Sequence, residues 1–491
     1  MKKRRILSLI LACLTLFPLL SACSGDDTQI TDNSENTVQS DETQNDANYT
    51  PQLPEESYEN KDFVILCEGG AGSLWANNED FFLEEDSDDG VKSAIYQRVQ
   101  IMKEEYGINI IPHLSTSTTE ALHTSIQSGD NAYNAIFAMQ SKITTSAANG
   151  DLMDLFEAEN LDLSKHYWDQ NVPELLSISN QLFFTTGDIL TMEELASWVL
   201  TFNKKMAKMN DLPDLYQLVR DNEWTIDKFN ELLAGISTDN GDGIWDHTDT
   251  YALATHNDNA YGLFYSCGLR FVTKDKDDIP IMNIDEMGKI VKVAEMTVEM
   301  QERENKTINA HDWINVNPLA HEITIEAFQE DRALFFAETL DAVIKLRDME
   351  TDFGIIPLPK YDKQQENYIT FVNPAGSFVG IPKSEQTRDG GYFASYALEA
   401  MAYLGYKHIT PQFIEKAVMG KSTRDDESVD MLRIIFANRT YDLGIICGFG
   451  DIATDYSELI NSGKSAVNSA FARKQKRAAQ EIKDFVSKIT E

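Results

Sequence analysis

The residues able to do chemistry are numerous in this chain but unassembled along it. Eight histidines (113, 123, 166, 247, 256, 311, 321 and 408) are scattered, with no HExxH pair to set two imidazoles on one helix face. No GxSxG elbow presents a serine nucleophile, and no GxxxxGK(S/T) loop cradles phosphate. Eighty Asp and Glu supply close carboxylate pairs by chance, so such pairs alone are no argument for acid–base work. One stretch has a spacing that suits a hard cation. Across 238–249, oxygen donors recur at Thr238, Asn240, Asp242, the Ile244 carbonyl, Asp246 and Asp249, with Gly243 at the sharp turn. That is the ligand rhythm of a Ca2+ loop, with Thr in place of Asp at the first position and Asp in place of a bidentate Glu at the last. The competing reading is an Asn/Asp/Gly turn between a helix and a strand.

A second reactive residue is set by its leader. Lys2-Lys3-Arg4-Arg5 is a basic head, 6–20 is a short apolar run, and Leu20-Ser21-Ala22-Cys23 follows directly. This order is that of a secretory signal, and its end resembles the lipobox of bacterial lipoproteins. The resemblance implies cleavage before Cys23 and a diacylglycerol anchor on its sulfur. The run is shorter than the ~20 residues needed to span a bilayer, and Pro18 interrupts it. The mature chain is therefore expected at the outer face of the cell membrane, lipid-anchored through Cys23. Of the other cysteines, Cys13 leaves with the leader, and Cys67, Cys267 and Cys447 read as buried thiols, one pairing among them being left open.

Charge and length narrow the class. The formal net charge is −38, and loss of the four basic residues in the leader takes it to −42. Such a surface repels nucleic acid and anionic headgroups, so lipid rather than charge must hold the chain at a membrane. At 491 residues, two or three domains are expected. Residues 24–60 carry ten acids and no Lys or Arg, too polar a stretch to offset its ordering entropy, and read as a disordered tether. As a flexible coil it would span on the order of 30–40 Å.

Beyond Asp62 the elements that must position any site come into view. An apolar strand at 63–67 is followed by a helix over 91–106, a strand at 108–111, a helix over 119–128 and a strand at 135–139. Strand alternating with helix predicts βαβ units and a mainly parallel sheet. A further strand ends at Asn203, after which helical stretches dominate (224–233, 287–302, 324–330). Strands follow at 333–337 and 353–356, then extended chain at 371–382 and amphipathic helices over 392–404, 428–438 and 465–488.

Over 62–400 these features resemble extracellular solute-binding proteins of ABC importers, family 1, the sugar-binding type. Asp89-Gly90-Val91 through Glu104-Glu105-Tyr106-Gly107-Ile108 looks like that family's first helix and second strand. Tyr133-Asn134-Ala135 matches its "Y-D-v" strand with Asn for Asp. Leu200-Thr201-Phe202-Asn203-Lys204 is similar to "l-x-Y-N-k", and Trp224 through Phe229 to "W-T-x-x-x-F". Phe328 through Leu334 resembles "F-x-x-G-k-A-a-M" with Asp331 for Gly, and Phe353 through Pro359 is close to "y-G-v-x-P-l-P". The resemblance implies an α/β, two-lobe periplasmic-binding-protein-like fold (type II), each lobe a mainly parallel sheet flanked by helices, joined by a hinge. Lobe one would be 62–200 with 375–430, and lobe two 201–374 with 431–491. The chain would cross near 199–203 and return near 371–380.

A sugar offers flat apolar faces and a rim of hydroxyls, which aromatics, carboxylates and amides suit without any catalytic group. Ligands of open α/β sheets lie beyond the carboxyl ends of the strands. That rule selects Glu68, Trp75, Gln140 and Glu338; position near the crossover adds Asp188 and Trp198, and a Gly-containing stretch adds Tyr261. Trp224 is assigned to packing. The expected partners are a small solute of carbohydrate type and ABC permease subunits, with the chain a monomer that needs no cofactor; loops like 238–249 occur in this family, so a structural Ca2+ is the one candidate ion. A cell-surface glycan hydrolase, which would need two facing carboxylates, and a glycan-binding protein uncoupled from transport stand as alternatives.

Overall fold

The structure, a computed structural model, describes residues 48–69, 78–302, 307–418 and 425–490. Cys23 and Trp75 lie outside these. In chain order the strands are β1 (Lys61–Glu68), β2 (Ile108–Ser115), β3 (Ala135–Met139), β4 (Trp198–Asn203), β5 (Tyr251–Thr255), β6 (Val272–Lys274), β7 (Pro280–Met282), β8 (Thr307–Asn309), β9 (Ala333–Thr339), β10 (Phe353–Ile356), β11 (Thr370–Phe371), β12 (Ser377–Gly380) and β13 (Arg439–Thr440). The central ones are apolar without alternation. β4, β5, β9 and β10 are buried at every residue, as strands covered on both faces must be.

Two sheets organise the body. The first has the order β12-β3-β1-β2, with β1 parallel to β2 and β3 (Phe63 opposite Ile110, Ile65 opposite Ala135) and β12 antiparallel to β3. The second has the order β10-β4-β9-β5-β8, with β5 parallel to β8 and β9, and β4 antiparallel to β9 and β10. Each sheet thus takes one strand from the far side of a crossing: β4 enters the second sheet before any of its other strands, and β12 returns to the first after them. β4 lies wholly in the second sheet, which puts the outward crossing just before Trp198, slightly earlier than the sequence suggested.

The two crossings run side by side. Ser197 and Val372 form an antiparallel bridge, and the Asn373 N–H donates to the Ala196 carbonyl at 2.9 Å. This pair of adjacent strands is the hinge between two lobes.

Helices cover the sheets for readable reasons. Asp89 caps the helix Gly90–Glu104, accepting from Val91 and Lys92 N–H, and Val91, Ala94, Ile95, Val99 and Met102 face inward. The helix Thr118–Ser128 stops at Gly129, whose φ of 72° suits a residue without Cβ. Trp224 is fully buried and donates from its indole to the Pro357 carbonyl at 2.9 Å, the packing role expected of it. Cys67 and Cys267 are buried free thiols, and Cys447 is a partly buried one. No helix among the described residues is long and apolar enough to cross a membrane.

Two expectations are corrected. Residues 48–60 do not belong with the tether; they lie on the first lobe, because this stretch carries rings that can pay for ordering. Tyr49 stacks on His166 and Tyr406 at 4.9 and 5.1 Å, Tyr58 meets Phe393 at 4.8 Å, and the Tyr396 hydroxyl donates to the Pro54 carbonyl. The stretch after Asn203 is also less helical than expected: β5 lies inside the second sheet, between β9 and β8.

Candidate functional site

The carboxyl ends of the strands flank the hinge from both sides. On the first lobe, Glu68 closes β1, is buried, and pairs with the Lys142 ammonium at 2.8 Å. Gln140 follows β3 at once, opening the buried start of the helix Gln140–Ala148, and its N–H donates to the Gly376 carbonyl at 3.1 Å. Gly376 in turn donates to Asn373 within the returning crossing. From there the Asn373 amide reaches Asp258 of the second lobe at 3.0 Å. A continuous polar path therefore joins the two sheets across the hinge.

On the second lobe, β5 runs into His256, Asn257 and Asp258, and Glu338 is the penultimate residue of β9. The Glu338 carboxylate is almost fully buried. His256 Nε2 lies 3.0 Å from one oxygen, which also accepts the Thr339 N–H at 2.7 Å, and His321 Nδ1 lies 3.2 Å from the other. Burial alone would raise this carboxyl, but the adjacent His256, the bonds from both imidazoles and the Thr339 amide outweigh it and hold the group down at about 2. Trp198, at the start of β4, is fully buried, its ring edge-on to His256 at 4.9 Å and 6.1 Å from Phe371. Its indole N–H meets no acceptor among the described residues. Tyr261 stands 5.9 Å from Phe371 and donates to the Ala453 carbonyl at 3.1 Å; burial pushes its hydroxyl up to about 12.

The structure thus gathers Gln140, Trp198, Tyr261 and Glu338 around the hinge, with Glu68 on the facing strand end. Asp188 goes elsewhere. It accepts from Thr410 Oγ1 at 2.6 Å and lines a separate cavity of about 370 Å3 with Trp168, Asp169, Glu194 and Arg439. Burial pushes its carboxyl up to about 7. Below it, Arg439 pairs with Asp169 at 3.0 Å, Glu193 at 3.0 Å and Glu194 at 3.3 Å, one guanidinium shared by three buried carboxylates. Burial raises Glu193 and Glu194 despite that cation.

The loop 238–249 is closed by pairing of Thr238 with Thr250. Its side-chain oxygens turn inward on the loop's own backbone. Asp249 accepts from Asn240 and Asp246 N–H at 2.8 and 2.6 Å, Asp242 from Ile244 at 2.8 Å, and Asp246 from Thr248 at 2.8 Å. Among the described residues, three His, Cys, Asp or Glu ligand atoms come within 4.8 Å of one another at His256, His321 and Glu338. Sequence reasoning missed both histidines, since nothing in their spacing, 65 residues apart along the chain, announces the meeting.

The lobes also touch away from the hinge. The tip of the β6–β7 hairpin docks on the turn 177–180 of the first lobe. Asp278 accepts from Asn180 N–H at 2.8 Å and Ser177 Oγ at 3.1 Å, its carbonyl accepts from Ser179 N–H at 3.0 Å, and Lys274 reaches Ser177 Oγ at 2.8 Å. These bonds tie the hairpin to the first lobe, a contact termed the latch.

Neither a protein-family model nor any curated protein matches the sequence. Solved structures match along nearly the whole chain. A cyclo/maltodextrin-binding protein complexed with maltotetraose aligns with TM-score 0.52 and 13% identity, covering 89% of this chain and 98% of its own. The msme binding protein of Bacillus subtilis, in an open conformation, aligns with TM-score 0.51 and 11% identity over 87% and 100%. UspC of M. tuberculosis gives 0.50 and 13% over 85% and 99%. The chain has the two-lobe, periplasmic-binding-protein-like fold.

Proposed function

We propose that this chain is the solute-binding component of an ABC importer, lipid-anchored at the outer face of the cell membrane. It captures a sugar or oligosaccharide between its lobes and hands it to a permease. The observation that carries the reading is the polar path from Gln140 through Gly376 and Asn373 to Asp258, flanked by Trp198, Tyr261 and Glu338. It sets hydrogen-bonding groups of both lobes around one hinge. A solute touching both halves favours the closed form by whatever it gains there over the open one, so capture needs no covalent step. Support comes from the fold shared with a protein complexed with maltotetraose. With residues 48–60 on the first lobe and the crossing just before Trp198, the proposed lobes are 48–197 with 375–430 and 198–374 with 431–490, acting as a monomer.

Isothermal titration of the purified protein against a glycan panel tests this, with solution scattering before and after ligand. A saccharide should bind and compact the molecule; no binding and no compaction would overturn the reading, and polysaccharide breakdown would favour the hydrolase alternative instead. Anchoring is tested by labelling cells with a palmitate analogue, which should mark the chain and fail to mark C23S. For the loop 238–249, calcium titration with and without D242N asks whether the Ca2+ reading holds.

A further inference from the structure

We propose that His256, His321 and Glu338 form a binding site for a zinc-class transition-metal ion at the strand ends of the second lobe. The donor set is two imidazoles, borderline ligands that favour Zn2+ over Ca2+ or Mg2+, and one carboxylate. A tetrahedral zinc with bonds of about 2.1 Å places its ligand atoms roughly 3.4 Å apart. Here Glu338 Oε1 lies 3.0 Å from His256 Nε2 and Glu338 Oε2 lies 3.2 Å from His321 Nδ1, and one donor atom from each residue lies within 4.8 Å of the other two. The two imidazole nitrogens, within 4.8 Å of each other, close toward ~3.4 Å by rotation of the exposed His321 side chain to admit the ion.

The scaffold is rigid where it must be. Glu338 and His256 sit at the ends of adjacent parallel strands, β9 and β5. Glu338 is fixed by the Thr339 N–H, and His256 packs edge-on against buried Trp198. His321 opens the helix His321–Gln329, and its side chain is 57% exposed, which leaves a way in for the ion. Three protein ligands leave a fourth position free for water or a solute oxygen. The Asp258 N–H donates to His256 Nδ1 at 3.2 Å, a hydrogen bond that a ring ligating through Nε2 and protonated at Nδ1 gives up.

The test uses the mature protein without a histidine tag, stripped by chelator and free of sugar, so that its outcome is independent of the transport reading. Co2+ titration should give the visible absorption of a low-coordinate site, displaced by one equivalent of Zn2+ and not by excess Ca2+. Competition with a chromophoric chelator should give micromolar or tighter Zn2+ binding. H321A, at an exposed position, and E338Q should each weaken it at least ~10-fold. Binding weaker than ~100 μM, equal displacement by Ca2+, or affinity unchanged in both variants would overturn the proposal.

Discussion

Replacing Asp278 by Ala should release the latch between the lobes. The Asp278 carboxylate accepts two bonds across it, from Asn180 N–H at 2.8 Å and Ser177 Oγ at 3.1 Å. Bonds to a charged acceptor are worth about 1.5–3 kcal/mol each, and Asn180 is exposed, so the lower end applies, with ~2 kcal/mol for the pair after solvent competition. At 1.4 kcal/mol per decade this is a roughly 30-fold rise in the open fraction. Hydrogen exchange reads it residue by residue. The Asn180 amide loses its acceptor in D278A and must exchange faster whatever happens elsewhere. The Ser179 amide is bonded to the Asp278 backbone carbonyl, which the substitution leaves in place. If the latch opens as a unit, Ser179 accelerates by the same ~30-fold; acceleration confined to Asn180 would refute the reasoning, for the carboxylate would then be a local contact only.

Acid should loosen the same latch. Burial would raise Asp278, but the bonds from Lys274, Asn180 and Ser177 lower it below 3.8, so its contribution is present above that pH and lost as pH falls through the folded value; Ser179 exchange should rise accordingly in the wild type and less in D278A. Glu399 runs the other way. Burial, against bonds from Tyr167 and Trp168, raises it from 4.5 to about 7, so its contribution is full below 4.5 and is lost as pH rises through 7. Urea unfolding at pH 5 and pH 8 should show the wild type losing up to about 3 kcal/mol more than E399Q, and equal losses would argue against a perturbed Glu399. Gly262 lies where a Cβ would stand 2.8 Å from Trp198 Nε1 and 2.9 Å from Cδ1. G262A should therefore displace the indole and lower stability by ~1–3 kcal/mol, seen as a fall in Tm.

Where an element's pattern is local, the sequence declared it. The runs at 63–67, 135–139 and 353–356 are apolar throughout because both faces are covered, and all three are strands. Asp89 and Gly129 mark helix ends through hydrogen bonding and a positive φ that depend only on near neighbours. β5 escaped notice for the converse reason. Tyr251-Ala-Leu-Ala-Thr has neither alternation nor a β-branched run, and it becomes a strand because β9 and β8 pair with it on either side.

Among site residues, the rule of strand ends selected Gln140 and Glu338 as solute contacts, and the structure places both beside the hinge, since strand ends follow from sheet topology, which the βαβ pattern already implied. Proximity along the chain was a poorer guide: Asp188 precedes the crossover by ten residues yet lines a different cavity, because the chain between them turns through buried Glu193 and Glu194. The sequence by itself determined most of the elements and the strand–helix alternation that makes a two-sheet body. Only the tertiary structure decided that His256, His321 and Glu338 meet, because strands adjacent in a parallel sheet are joined through a crossover. Their ends are neighbours in space and strangers in sequence.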